Sequence, residues 1–150
     1  MISSTDRARS LKQGTFSGQS VLYWMIRDKR VKDNWALLEA QKIAVKNNAP
    51  LLVCFHYYGS YKDANIRQYK FLFDGLKDTA NNLLDLNINF YLLNGLAKKE
   101  IPRFINQYKV GHLVTDFSPL KVYKKRLRQV IEKVDIPITQ VDAHNIIPVW

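Results

Sequence analysis

Two pairs of residues with binding chemistry follow apolar runs in this sequence. Arg27 and Asp28 come after SVLYWMI (20–26), and Asp116 and Phe117 come after GHLVT (111–115). Residues just beyond a strand lie in loops, where their side chains can reach a ligand. The alternative interpretation is structural: Arg27 and Asp28 form a local ion pair that orders the loop, and Asp116 has an equivalent role.

The motifs of several common enzyme classes are missing. No GxGxxG follows the first apolar run, which argues against an ordinary dinucleotide site, and neither GxxxxGK[ST] nor GxSxG occurs. His56, His112 and His144 have no metal-ligand spacing, and the single cysteine, Cys54, is expected to be an inert core residue. We therefore expect no metal site and no catalytic residue in this chain.

The charge balance is strongly basic, with 23 Lys and Arg against 13 Asp and Glu and a net charge of +10. This suits an anionic partner such as nucleic acid, although basic domains also use such charge for solubility alone. The length of 150 residues and 47% hydrophobic content predict one domain with a real core. No membrane span and no secretory signal is visible, so we expect a cytoplasmic protein.

Five strand-like runs alternate with four helix-like segments. The strands are predicted at Ser20 to Ile26, Pro50 to Tyr57, Ile88 to Leu93, Gly111 to Thr115 and Pro137 to Val141. Asp33 is expected to cap a first helix that runs to about Lys46. The other three helices are predicted from apolar residues at helical spacing, which are Ile66, Tyr69, Phe73, Leu76, Ala80 and Leu83, then Ile101, Phe104, Ile105 and Tyr108, then Tyr123, Leu127, Val130 and Val134.

This alternation predicts an α/β fold, namely a Rossmann-like, doubly wound, five-stranded parallel sheet with helices on both faces. Right-handed crossovers give the strand order 3-2-1-4-5. In such sheets ligands bind beyond the carboxyl ends of the strands, where the strand order switches. The switch between strands 1 and 4 places Met25, Arg27 and Asp28 opposite Asp116, Phe117 and Ser118.

We expect three regions along the chain. Residues 1–19 are rich in Ser, Gly, Gln and charge and are interpreted as a flexible arm, residues 20–141 as the α/β domain, and residues 142–150 as an exit segment toward a further domain. Ile146, Ile147, Val149 and Trp150 form an apolar tail that must fold back on the sheet or dock on a following domain. Left exposed, Ile146 to Trp150 would favour self-association.

Four strings in the chain are specific in combination: LYWMIRDKRVKDNWALL (22–38), RQYKFLFDGL (67–76), TDFSPL (115–120) and VDAHNIIPVW (141–150). Together they resemble the N-terminal α/β domain of class II cyclobutane pyrimidine dimer DNA photolyases, within the photolyase/cryptochrome superfamily. The resemblance extends over most of residues 20 to 150.

The resemblance implies a function in DNA repair. Photolyases split UV-induced pyrimidine dimers by light-driven electron transfer from reduced FAD, and a C-terminal helical domain binds the flavin and the lesion. The N-terminal domain helps to hold an antenna chromophore, which is a deazaflavin in some class II members and is absent in others. This chain is then expected to help bind that chromophore and to dock on the FAD-binding helical domain, with DNA contacted indirectly through that domain. It is not expected to bind FAD or to repair DNA alone.

The chromophore is expected at the sheet crevice, because Trp and Tyr absorb only in the ultraviolet and light capture needs a bound pigment. Combining the switch-point rule with the family's general arrangement gives nine lining residues: Tyr23, Met25, Arg27, Asp28, Phe55, Arg67, Phe71, Asp116 and Phe117. For Phe71, a core or domain-interface contact is an alternative.

Two other functions are compatible with the residues. A stand-alone α/β nucleotide-binding module of the stress-protein type would need a glycine-rich phosphate loop after a strand, and the six glycines are scattered. A basic nucleic-acid adaptor would use the net charge of +10, and its affinity would fall steeply with salt. The basic side of the fourth helix, Lys121, Lys124, Lys125 and Arg128, is a solvated face in the simplest interpretation and a DNA contact in the adaptor hypothesis.

Overall fold

A six-stranded sheet with helices on both faces forms the centre of the computed structural model, which describes residues 7–58 and 65–150. The strands are β1 (Ala8–Lys12), β2 (Ser20–Met25), β3 (Leu51–Tyr57), β4 (Asn89–Asn94), β5 (Val110–Asp116) and β6 (Ile138–Val141). The helices are α1 (Trp35–Lys46), α2 (Ile66–Leu84), α3 (Ala97–Gln107) and α4 (Lys121–Ile131). None of these helices has both the length and the apolar character that a membrane crossing requires.

The strand order across the sheet is β1-β6-β5-β2-β3-β4. Strands β2 to β6 pair in parallel, and β1 runs antiparallel to β6. The predicted α/β sheet is therefore present and mostly parallel. The five-stranded order 3-2-1-4-5 is not matched, because the sheet has a sixth strand, β1, at the edge beside β6.

The strand β1 also corrects part of the interpretation of residues 1–19 as a flexible arm, because Ala8–Lys12 is paired in the sheet. Residues 1–6 of the predicted arm lie outside the described residues. Its segment, ARSLK, has no continuous apolar run, yet Ala8 pairs with Val141 and Arg9 with Gln140. The Arg9 guanidinium donates twice to Gln140 Oε1, at 2.7 and 3.1 Å. Backbone pairing to a strand far away in the sequence orders this segment, and local composition carries no signal for such pairing.

Helices cover both faces of β2, which explains its unbroken apolar run. Alternate side chains point to opposite faces, and all six residues of the strand are buried. On one face Val21, Tyr23 and Met25 pack with α1 residues and with Leu83 of α2. On the other face Leu22 and Trp24 join a second cluster with side chains of α3 and α4, among them Ile101, Phe104, Leu127 and Val130.

The helix α1 begins at a buried asparagine. Asn34 Oδ1 accepts from the N–H groups of Ala36 and Leu37, at 3.0 and 3.1 Å. The expectation that Asp33 caps this helix is wrong, because Asp33 has a left-handed backbone with φ of 53°. The Asn34 amide also donates to the Tyr23 hydroxyl at 3.2 Å, so the cap ties the helix directly to the central strand.

Arg7 joins the start of the described chain to its end. Only 7% of the residue is exposed, and its guanidinium donates to the carbonyls of Asp142, Asn145 and Ile146 at 3.3, 2.6 and 2.6 Å. It also lies 5.0 Å from the ring centroid of Trp35. A buried guanidinium with three carbonyl acceptors fixes the residues that follow β6.

We expect Arg7→Met to lower the free energy of unfolding by about 1–3 kcal/mol, because the variant removes the donor from one buried and two partly buried carbonyl contacts. Urea unfolding followed by tryptophan fluorescence measures the change. Arg103→Met is the matched control, since the Arg103 side chain is largely exposed beside Glu100 and should cost less than about 1 kcal/mol. Equal losses in the two variants would contradict a clamping role for Arg7.

Candidate functional site

The carboxyl ends of β2 and β5 meet at the centre of the sheet, where the strand order switches. Trp24 is in register with Thr115, and the Thr115 hydroxyl donates to the Trp24 carbonyl at 3.0 Å. The loops that leave these two strands therefore start side by side. This is the position at which the sequence predicts a ligand crevice.

Asp116, the last residue of β5, organises the loop that follows β2. Its carboxylate is fully buried and accepts from three consecutive backbone N–H groups, those of Ile26, Arg27 and Asp28, at 2.7, 2.6 and 2.8 Å. Burial raises the pKa of Asp116 above its ordinary value, and the N–H donors act in the opposite direction. The geometry matches the structural interpretation of Asp116, since its oxygens are occupied by the loop.

A cavity of about 300 Å³ opens beside this loop. Its walls combine apolar, hydroxyl and cationic groups from the two loops and the start of α4, namely Ile26, Arg27, Lys29, Ser118, Pro119, Leu120 and Tyr123. Its volume lies at the lower end of the range for small-molecule sites, and its mixed lining is typical of them.

The ammonium group of Lys29, which lines this cavity, is partly removed from water. Burial lowers the pKa of the Lys29 ammonium, and the nearby carboxylates of Asp116 and Asp28 act against that shift. The ammonium lies 5.4 Å from the Phe55 ring centroid and 3.5 Å from the Arg27 carbonyl. Within residues 7–58 and 65–150 it forms no ion pair, so an anionic or electron-rich ligand group would be favoured there.

The structure separates the nine predicted lining residues into groups. Arg27 is the one that lines the 300 Å³ cavity. Tyr23 and Met25 point into the α1 face of the core and are fully buried; burial raises the pKa of Tyr23. Phe55 is buried beneath Lys29.

The other predicted residues lie outside the cavity lining. Asp28 and Phe117 lie at the same end of the sheet and contact the exit segment, residues 142–150. Arg67 and Phe71 are on α2 and are exposed, Phe71 by 83%. The prediction missed Lys29, Pro119, Leu120 and Tyr123, which lie three to eight residues beyond the strand ends that it used.

Asp28 joins the β2 loop to the exit segment. Its Oδ1 lies 3.1 Å from His144 Nδ1 and 3.7 Å from the Arg30 guanidinium. Asp28 is 5% exposed, and its Oδ2 has no hydrogen-bond partner among the described residues. The predicted local pair of Arg27 with Asp28 is replaced by contacts of Asp28 with Arg30 and His144.

The exit segment turns around the buried carboxylate of Asp142. That carboxylate accepts from the backbone N–H groups of His144, Asn145 and Val149 and from the Asn145 amide, at 2.9 to 3.3 Å. Burial by itself raises the pKa of Asp142, but these hydrogen bonds outweigh burial and hold the pKa below its ordinary value.

The apolar tail of this segment is only partly covered. Trp150 packs edge-on against Phe117, with ring centroids 5.6 Å apart, and the Arg9 guanidinium lies 4.3 Å from the Trp150 ring. Ile146, Ile147 and Val149 remain 88%, 72% and 54% exposed. These three side chains form an apolar patch next to the carboxyl ends of the strands.

In the described residues, the histidine and cysteine side chains make separate contacts and do not form a common site. His56 bonds the Gly95 carbonyl, His112 lies 2.9 Å from the Thr139 hydroxyl, and burial raises the pKa of the Cys54 thiol. No group of three or more His, Cys, Asp or Glu side chains suited to a metal occurs in the described part of the chain. A second cavity of about 440 Å³, lined by Gln41, Val45, Pro50, Leu51 and neighbouring residues, lies at the opposite end of the sheet.

Comparison with known proteins gives a consistent result over nearly the whole chain. The DNA photolyase family model matches residues 21–150. A deoxyribodipyrimidine photo-lyase of Arabidopsis thaliana is 40% identical over 151 residues, which cover 96% of this chain and 30% of the relative. A deoxyribodipyrimidine photo-lyase of Potorous tridactylus is 44% identical over 134 residues, which cover 88% of this chain and 25% of the relative. The chain thus spans less than a third of these relatives' length.

Solved structures show the same fold at lower identity. A bacterial class III photolyase from Agrobacterium tumefaciens has a TM-score of 0.67 at 19% identity, covering 85% of this chain and 26% of its own. A universal stress protein in complex with cAMP has a TM-score of 0.56 at 16% identity, covering 85% of this chain and all of its own. At such identities the likeness concerns the fold alone.

Asp142 provides a test by pH. Because its pKa is lower in the folded than in the unfolded chain, its stabilising contribution is complete above about pH 4 and is lost as the pH falls through the folded-state pKa. We expect Asp142→Asn to lower the free energy of unfolding by about 1–3 kcal/mol at neutral pH, with the difference shrinking in acid.

Urea unfolding at several pH values between about 3 and 7 measures this difference. Asp135→Asn serves as the control, because the Asp135 side chain is fully exposed beside Lys12, and it should change the profile little. A loss for Asp142→Asn that stays constant with pH would contradict the assignment.

Proposed function

The chain belongs to the DNA photolyase family, and from this premise we propose that it is the N-terminal α/β domain of a deoxyribodipyrimidine photolyase. Its role is then to bind an antenna chromophore and to dock on the FAD-binding helical domain that carries out repair of UV-induced pyrimidine dimers. The observation that carries the proposal is the family match over residues 21–150. The strings LYWMIRDKRVKDNWALL (22–38) and VDAHNIIPVW (141–150) support placement in class II, and a cytoplasmic location suits this assignment.

The 300 Å³ cavity is our candidate for the chromophore site. Ile26, Pro119 and Tyr123 supply surfaces against which a flat aromatic ring system can pack. Arg27 and Lys29 supply cations for its oxygen atoms. This chemistry fits a deazaflavin, which would supply light absorption beyond the range of Trp and Tyr when bound. The partner domain would add further contact area, because the cavity is open on its solvent side.

The exposed tail residues support the docking role. Ile146, Ile147 and Val149 form an apolar patch at the end of the segment that the sequence interprets as leading to a further domain. The chain spans 25–30% of its Arabidopsis and Potorous relatives, so most of their length lies beyond the matched region. In our proposal the FAD-binding domain packs on this patch, and contact between two copies of the chain is the competing outcome.

The family match argues against the two alternative functions, a stress-type nucleotide-binding module and a basic nucleic-acid adaptor, as the function of this chain. A stress-type nucleotide module shares the fold with the universal stress protein, but the described residues that line the cavity include no glycine. A free-standing nucleic-acid adaptor would account for the net charge but not for the 40% identity to a photolyase.

We expect 5-deazariboflavin to bind the purified chain, with a Kd that rises about tenfold or more in Arg27→Ala and in Tyr123→Ala, a loss of at least about 1.4 kcal/mol. Fluorescence titration measures the Kd. The matched control is Gln41→Ala in the cavity at the opposite end of the sheet, where the Kd should not change. Unchanged Kd values in both cavity variants, or no binding even with the partner domain added, would refute this site.

Docking predicts that the chain forms a complex with a separately expressed C-terminal remainder of the Arabidopsis relative. Ile146→Asp should weaken that complex about tenfold or more, because it places a charge in an apolar contact. Ile66→Asp is the control, since Ile66 on α2 is similarly exposed, by 84% against 88%. Analytical ultracentrifugation of the chain alone, and of the chain mixed with the C-terminal remainder, distinguishes this complex from self-association. If Ile146→Asp and Ile66→Asp weaken the complex equally, docking on the patch is contradicted.

A further inference from the structure

The helix α4 differs from the other helices in its charge. Five of its residues are Lys or Arg and none is acidic. Each of the other helices has an acidic side chain that pairs with a cation, namely Glu39 with Lys42, Asp74 with Lys70 and Glu100 with Arg103. Across residues 7–58 and 65–150, no cation of α4 lies within 4.0 Å of a carboxylate. The charge of α4 is therefore uncompensated within the described chain.

Four of these cations form one exposed stripe. Lys121, Lys124, Lys125 and Arg128 recur at helical spacings of three and four and are all exposed, while Leu127 and Val130 hold the opposite side on the core. Like charges at these spacings destabilise a helix by about 0.2–0.5 kcal/mol per pair. The stripe thus carries an energetic cost that a bound polyanion would relieve.

The positive charge continues past the start of α4. The N-cap residue of α4, Leu120, makes no side-chain cap hydrogen bond, and the first turn has no acidic residue, so no negative charge offsets the positive end of the helix dipole there. Arg27 and Lys29 lie across the neighbouring cavity from Leu120. The stripe and the loop together form a basic track along the helix and over its amino end.

We propose that this track is a sequence-independent contact for the DNA backbone, so that the domain itself touches DNA. This goes beyond the proposed function, in which DNA is contacted through the partner domain. From Lys121 to Arg128 the helix rises about 10 Å, which spans about three phosphates of one strand of B-DNA. Contacts to phosphate oxygens require a positively charged group on a long, flexible side chain, which exposed Lys and Arg residues provide.

The track favours DNA over an acidic protein surface. Stable protein interfaces are built around a desolvated apolar or aromatic centre. Here the stripe between Lys121 and Arg128 is made of charged side chains, and the apolar residues Leu127 and Val130 are turned into the core. The exposed apolar side chains beside the stripe, Leu120 and Val122, are 52% and 37% exposed and are separated in the chain by Lys121. Such a surface binds through counterion release, which nucleic acid supplies and an isolated acidic side chain does not.

The test compares two variants with the same loss of charge. One carries Lys121→Gln, Lys124→Gln, Lys125→Gln and Arg128→Gln; the control carries Lys32→Gln, Lys46→Gln, Lys77→Gln and Lys99→Gln, which lie on exposed positions elsewhere. Fluorescence anisotropy measures binding of each full chain to a short mixed-sequence DNA duplex between about 50 and 200 mM salt. Circular dichroism and thermal unfolding show that each variant is folded.

For the unaltered chain we expect an affinity that falls steeply with salt. The α4 variant should bind at least about tenfold more weakly than the control variant, and the slope of log K against log salt should be smaller by about 2–4, at about 0.9 per phosphate contact. Equal losses in the two variants would overturn the proposal, because net charge alone would then account for binding. No binding by the unaltered chain at low salt, or equal affinity for polyglutamate, would also overturn it. Deazaflavin titration of the same proteins is an independent readout, so failure here leaves the chromophore site standing.

Discussion

The arrangement at the carboxyl end of the sheet depends on the buried carboxylate of Asp116. Three consecutive N–H groups, from Ile26 to Asp28, converge on it and turn the chain at the end of β2. Burying an ion is costly unless hydrogen bonds compensate, and these three donors provide that compensation. The turn leaves Arg27 lining the cavity and Asp28 facing His144. The Asp116 carboxylate thus shapes the loop after β2 so that Arg27 lines the cavity and Asp28 contacts the exit segment.

Acidic and basic residues are distributed unequally between interior and surface. Asp28, Asp116 and Asp142 are buried, where they organise the β2 loop and the exit segment, and Arg7 is the buried cation described beside them. The cations of α4 face outward. The surface is therefore more positive than the net charge of +10 indicates, because part of the negative charge is used internally.

The sequence predicted the parallel strands and the helices well, since apolar runs and helical spacing reflect burial on local elements. It failed for β1, because ARSLK gains its order from pairing with β6 and not from an apolar pattern. For the cavity it found Arg27 but also named Tyr23 and Met25, whose side chains alternate into the core on a doubly covered strand. Lys29 was missed because its burial depends on Phe55, a neighbour brought near only by the fold. The family could be found from the sequence because the resemblance depends on matching residue strings. It does not depend on whether each side chain points into the core or toward the cavity.

The antiparallel pairing of β1 with β6 bears on how the domain is made. Ala8 is synthesised 133 residues before its partner Val141. At roughly 5–20 residues per second, β1 waits about 7–27 seconds for the strand that completes its hydrogen bonds. Strands β2 to β5 can assemble during that interval, and the pairing of β1 with β6 can form only after β6 has been made. Arg7 reaches its three carbonyl acceptors only after residues 142–146 have been made, so closure of this sheet edge joins segments that are synthesised far apart in time.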